Sequence, residues 1–228
     1  MIELRETETT PGTIRVAGLL YEDGSVEANF TGIDQMTPYY IVIHHRNHLP
    51  VMSASAINLG TFTFPYDFTD LTNVYSNGAI LIDDTPDDVY GMIAGDVTHN
   101  GMLKYSGADN DRGPIIALIV TNTGSPLLQN IIWDGYYFED VNMNDTVRYV
   151  GAENDRDKII ANIIEMTGQP FLNYTYTTVV PGAYYGSKDG KSSDGPLHLA
   201  IREAGDRIEL VLQTNEAIKN GFIDNIQF

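Results

Sequence analysis

Apolar and polar residues alternate from the first positions of the chain. Ile2 and Leu4 are apolar and Glu3 and Arg5 polar, the period-two pattern of a strand that begins almost at Met1. The same signal predicts strands over residues 14–21 and 26–30, separated by a turn at Asp23-Gly24 whose chemistry accepts positive φ. The aromatic and β-branched run at 39–45 predicts another. A further strand is expected over 49–59, after the turn Asn47-His48-Leu49-Pro50, with short candidates at 61–68 and 79–82. Beyond Pro170 the β-texture resumes at 174–180, then in a hairpin over 197–212 and a last strand at 222–228. The Gly- and Ser-rich stretch 181–194 reads as an exposed loop. Short strands at this spacing favour a sandwich or barrel.

Between residues 91 and 167 the periodicity changes, and the chain repeats itself at an offset of 44 residues. Of the 24 positions from Asp96 to Ile119, 13 are identical in the copy that begins at Asp140. Each copy opens with a polar loop and runs into an Ile-rich helix, Ile115-Ile116-Ala117-Leu118-Ile119 in the first and Ile159-Ile160-Ala161-Asn162-Ile163 in the second. The fold expected is therefore mainly β: a β-sandwich-like region over 1–90, a tandem pair of EF-hand-like loop-helix repeats inserted over 91–167, and strands over 168–228 that rejoin the sandwich.

The loops carry the candidate chemistry. Asp96, Thr98 and Asn100 place oxygen atoms at alternate positions 1, 3 and 5, Gly101 follows at position 6, and Met102 at position 7 offers its carbonyl. In the second copy Asp140, Asn142 and Asn144 fill positions 1, 3 and 5, with Thr146 at 7. A standard calcium loop closes with a carboxylate at position 12, where Gly107 and Gly151 stand here. Asp111 and Asp155, four residues further on, either close a lengthened loop or cap the helices that follow. Hard oxygen donors without a His or Cys set select calcium over transition metals, and the modest charge of each loop suits the higher calcium levels outside cells.

Three motifs in order, YIVIHHRNHLPVMSAS at residues 40–55, AGDV at 94–97 and the paired segments KYSGADNDR at 104–112 and RYVGAENDR at 148–156, resemble a module of secreted Bacteroidota proteins. In that family an RHRNHLGVMTA strand-turn precedes two DVNGDGVVKYTGSNNDRDPIL loops similar to the calcium loops of dockerins. The resemblance covers about residues 4–164. It implies export, calcium and a surface role more firmly than an activity, and carried over by position it implies the same ligand candidates.

Composition narrows the alternatives. The formal charge is −18, with 13 basic against 31 acidic residues, which disfavours nucleic acid and anionic lipid as partners. Residues 83–111 and 134–157 together hold 14 acidic and 3 basic residues, so the acidity concentrates around the repeated loops. There is no cysteine, which removes thiol nucleophiles and Cys-ligated metals. No apolar stretch approaches a membrane span. The first five residues lack the basic and apolar regions of a leader, as expected of a mature or excerpted chain or of one that stays inside.

Other candidates carry less. His44, His45 and His48 cluster near one turn, but strand neighbours point to opposite faces and no third zinc ligand accompanies them, so a hydrogen-bonded turn with Arg46 and Asn47 is the expectation. Tyr pairs at 39, 136 and 184, with Trp133, offer a glycan platform or ordinary packing. Asp83, Asp84, Asp87 and Asp88 form an acidic loop. Sequons begin at Asn29, Asn144 and Asn173, and Asp145-Thr146-Val147 resembles a bacterial O-glycosylation signal. Nucleophile elbows, phosphate loops and His-Glu-x-x-His motifs are absent. The expectation is a non-enzymatic, secreted, calcium-binding subunit of an extracellular fibre or matrix, self-associating head to tail through terminal strands. The alternative is a carbohydrate-binding or adhesin accessory module.

Overall fold

The computed structural model describes residues 1–183, apart from 22, 61–64, 85–86, 126, 128–130 and 134, and the backbone of 198–213, apart from 205–206. The strand expected at 222–228, Tyr184 and most of the expected 181–194 loop lie outside the described residues. Residues Met1–Tyr185 form one compact unit and Gly186–Phe228 a second.

In the first unit the chain runs through β1 (Ile2–Arg5), β2 (Ile14–Val16), β3 (Leu19–Leu20), β4 (Val26–Glu27), β5 (Tyr40–Ile43) and β6 (Val51–Met52). It continues through β7 (Ile80–Asp83), β8 (Val89–Gly91), β9 (Met102–Lys104), helix α1 (Arg112–Thr123), β10 (Ile131–Trp133), β11 (Thr146–Arg148), helix α2 (Asp155–Thr167) and β12 (Thr175–Thr177). The second unit contributes the antiparallel hairpin of β13 (His198–Ala204) and β14 (Arg207–Gln213), at the place the alternation predicts. The described residues are thus mainly β, with one four-stranded sheet, five two-stranded ladders and two α-helices.

The four-stranded antiparallel sheet has the order β2-β1-β5-β6. Strand β1 lies inside it: Ile2 faces Val16 on one side and Ile43 on the other, and Leu4 faces Ile14 and Ile41. All four β1 residues are buried, polar ones included, so this strand departs from the half-buried alternation of its sequence. Glu3 Oε1 accepts hydrogen bonds from Arg5 Nε at 2.7 Å and from the Gly12 N–H at 2.6 Å, and Glu3 Oε2 lies 3.0 Å from His44 Nε2. Burial opposes ionisation of Glu3, but the bonds from His44, Gly12 and Arg5, with the Arg5 charge, outweigh it and hold the pKa at about 2. A Cβ at Gly12 would stand 1.9 Å from the Leu4 carbonyl oxygen, so only glycine lets this segment approach Glu3.

The main core belongs to the repeat. Ile115 and Ile119 of α1 and Ile159 and Ile163 of α2, which correspond at the 44-residue offset, are fully buried together with Leu103 and Val147 from the loop strands. A smaller cluster sets Val42 and Met52 of the sheet against Val180.

Several expectations change in detail. Only Val51–Met52 of the predicted 49–59 strand is a strand, and residues beyond it make isolated bridges such as Tyr39 to Ile57. The strand near 174–180 does not rejoin the four-stranded sheet: β12 pairs with β9, Tyr176 opposite Leu103. The divisions at 90 and 167 both fall within the compact unit Met1–Tyr185.

Candidate functional site

The two loops turn at the same positions. Positive φ occurs at His99, Gly101, Gly107 and Asp109 in the first and at Met143, Asp145, Gly151 and Glu153 in the second, four pairs each separated by 44 residues. Both helices end in the same way, on Gly124 and Gly168 in the left-handed conformation. Asp145 occupies, at φ 62°, the position that Gly101 occupies at φ 78°. An L-residue with a Cβ there costs about 1–2 kcal/mol unless its side chain compensates, so Gly101→Ala is expected to destabilise by about that much and Asp145→Gly to cost nothing or stabilise. Urea unfolding midpoints in chelator check both.

Four aspartates sit at the centre of this arrangement, each at most 2% exposed. Asp96 Oδ1 accepts the Asn100 N–H at 2.9 Å and Oδ2 the Gly101 N–H at 2.8 Å; Asp140 does the same for Asn144 at 3.1 Å and Asp145 at 3.2 Å. Asp111 and Asp155 turn back into the loops. Asp111 Oδ1 accepts from the N–H and hydroxyl of Thr98, and Asp155 Oδ1 from the N–H groups of Val141 and Asn142. Their Oδ2 atoms accept from Lys104 N and Arg148 N, each at 2.8 Å. The sequence left two roles open for these residues, and capping falls instead to their neighbours: Asn110 accepts the Gly113 N–H and Asn154 the Asp157 N–H, each at 3.0 Å. Each loop therefore brings its first aspartate and its late aspartate together across the lengthened turn.

Burying four carboxylates is costly without positive charge nearby. Among the described residues the one ion pair reaching them runs from Arg46 Nη2 to Asp140 Oδ2, at 3.8 Å. Burial pushes Asp111 up to about 7 against the opposing bonds from Thr98 and Lys104, with the Asp96 carboxylate adding to the rise. Burial likewise pushes Asp155 up to about 6 against bonds from Arg148, Asn142 and Val141, with Asp140 adding to it, and raises Asp96. No three His, Asp or Glu side chains converge on one point among the described residues. The donor set of each loop is instead two carboxylates with amide, hydroxyl and backbone oxygens, which fits calcium, a cation that accepts mixed oxygen shells.

A cation engaging such carboxylates must displace their protons, so any binding there would weaken as pH drops from about 7 to about 5 and release protons. In the metal-free protein a raised carboxylate contributes stability that is present below the unfolded value of 3.8 and lost as pH rises through 6 to 7. His48 acts oppositely. Burial, with the charges of His45 and Arg46, holds it at about 3, so its contribution is present above 6.5 and lost as pH falls. The aspartate contribution is therefore read as the difference between the wild type and the variant Asp111→Asn, Asp155→Asn, which grows in the variant's favour from pH 4 to pH 7.

The copies differ at position 3. Thr98 spends its hydroxyl on Asp111 Oδ1 at 2.9 Å, whereas Asn142 directs its side-chain oxygen to the Asn144 N–H and its Nδ2 to the Glu153 carbonyl. At position 5, Asn100 and Asn144 accept from the N–H groups of Met102 and Thr146, so both position-7 residues are held by their amides in the turn. No family model, curated protein or solved structure matches this chain.

The surroundings of the loops are its own. An EF-hand flanks its loop with two helices, whereas each loop here is followed by a helix and the element before it is a short strand, β8 or β10. The loop strand β9 pairs beyond the repeat region with β12, and β11 pairs with β10, which lies between the two copies. Asn47, which the sequence marks only as a turn residue, is fully buried between the loops. The His45 and His48 rings lie 5.1 Å apart, tilted at 47°, while His44 turns to Glu3, so the three histidines do not share a centre. Thr146 is buried and its hydroxyl donates to Asn144 at 2.5 Å, which closes the O-glycosylation signal in the folded chain, while Asn29 and Asn173 are exposed. Tyr39 is buried and Tyr136 exposed beneath the Arg46 guanidinium at 4.2 Å; the Trp133 side chain lies outside the described residues.

Proposed function

We propose that this chain is a non-catalytic, calcium-stabilised structural protein of the cell surface or extracellular space, in which two loop-helix repeats bind calcium and fasten a β-sandwich-like body. The observation that carries this reading is the duplicated pair of buried aspartates, Asp96 with Asp111 and Asp140 with Asp155. Each pair concentrates negative charge where only one Arg ion pair is available among the described residues. The backbone N–H groups that grip these carboxylates hold them in place for a cation.

Assembly into a head-to-tail fibre through terminal strands belongs to the same proposal. Because β1 is paired on both sides within its own sheet, it contributes by exchange, leaving one chain to complete the sheet of the next, a non-closing contact. Sedimentation velocity and electron microscopy of the purified chain in calcium test this. Polymers of the intact chain are expected, and monodisperse monomers at all concentrations would remove the fibre from the proposal.

A further inference from the structure

Resting on the calcium reading above, we infer that Asn47 is a positioning residue that couples the two loops, so that occupancy of one raises the affinity of the other. The turn that contains it belongs to neither loop in sequence, lying about one repeat length before the first. Its carbonyl oxygen accepts the N–H groups of Gly95, at 2.9 Å, and of Asp96, at 2.8 Å, the residue that opens the first loop. Its side-chain Nδ2 donates to the carbonyls of Phe138, at 2.6 Å, and of Asp140, at 3.0 Å, the residue that opens the second. One fully buried residue thus holds the first ligand position of both loops from opposite ends of its own peptide and side chain.

The neighbours make the bridge stiff. His48 forms an isolated β-bridge with Ala94, whose carbonyl also accepts from Asn162 of α2 at 2.8 Å, and the Leu49 N–H donates to Ile93 at 2.8 Å. Arg46 donates to the Tyr137 carbonyl and reaches Asp140. A cation in the first loop fixes the Asp96 backbone, and through it the Asn47 peptide plane. Because the bridge is stiff, the position that the first cation gives Asp96 is passed through Asn47 to Asp140, so the second cation meets a loop already set to receive it. By linkage the effect is reciprocal.

Calcium titration calorimetry on the full chain tests this in a double-mutant cycle. In the Asn47 background of the wild type, silencing the second loop with Asp155→Asn is expected to weaken calcium binding at the first by about fivefold or more. In the Asn47→Ala background the same substitution is expected to leave the first loop's affinity unchanged, with two ions still bound before it is made. An equal loss in both backgrounds, or no loss in either, overturns the coupling role while leaving calcium binding intact. Absence of calcium binding in the wild type overturns the underlying reading instead. Should Asn47→Ala fail to fold, Asp155→Asn alone still decides: a first-loop affinity equal to that of the wild type is incompatible with coupling.

Discussion

Saturating calcium is expected to raise the melting temperature of the chelated protein by roughly 10–20 °C, and the variant Asp111→Asn, Asp155→Asn to lose that rise. A ligand that binds only the folded state stabilises it by about 2.7 kcal/mol per site at a hundredfold excess over Kd, and for a chain of this size each kcal/mol moves the midpoint by about 2–4 °C. Asp111 and Asp155 are the decisive pair because each is fully buried, lies beside the first aspartate of its loop, and is held there by the backbone of the same loop. Asn retains one oxygen but loses the charge. In chelator the substitution removes a buried charge as well as an acceptor, so the metal-free variant is expected to melt close to the metal-free wild type. A variant that melts far lower in chelator, yet still gains the full increment from calcium, would assign these residues to folding alone.

Arg5→Ala is expected to cost about 3–5 kcal/mol, the effect of removing one partner from a buried pair. Arg5 and Glu3 are both fully buried, and the Arg5 guanidinium also donates to the carbonyls of Glu8, Pro181 and Gly182. Truncation removes the nearest cation from the buried Glu3 carboxylate, leaving it to His44, the Gly12 N–H and Arg15 at 3.6 Å, and releases the 181–182 segment from β1. Replacing both partners, as Glu3→Gln with Arg5→Met, is expected to cost less than the two single changes added together, because no unpaired charge is left behind. Urea denaturation of the four proteins gives the coupling directly; strict additivity would mean that the pair does not act as a unit.

The sequence made some of this legible for physical reasons. A 44-residue repeat with 13 identities in 24 positions forces two local structures to agree, and the agreement extends to positive φ at corresponding residues and to the Gly124 and Gly168 helix ends. Spacing marks Asp111 and Asp155 but does not separate a side chain turned back into its loop from one that caps the following helix. That choice depends on side-chain direction, and the repeated Asn110 and Asn154 were the available signal, since Asn is as good a cap as Asp. Strand lengths were less legible. Residues 49–59 have the composition of a strand, but after Met52 the chain finds single bridge partners instead of a continuous neighbour, and composition does not report neighbours. The partner of β12 was hidden for the same reason. The contacts of Asn47 reach residues about 50 and 90 positions away, which no local pattern encodes.

Native mass spectrometry of the intact chain in ammonium acetate with added calcium counts the ions that the two repeats hold. Two ions per chain are expected in the wild type, one after Asp96→Ala with Asp111→Asn, and one after Asp140→Ala with Asp155→Asn. A wild type that binds none, or a pair of variants that bind as many ions as the wild type, would rule out one calcium ion per repeat.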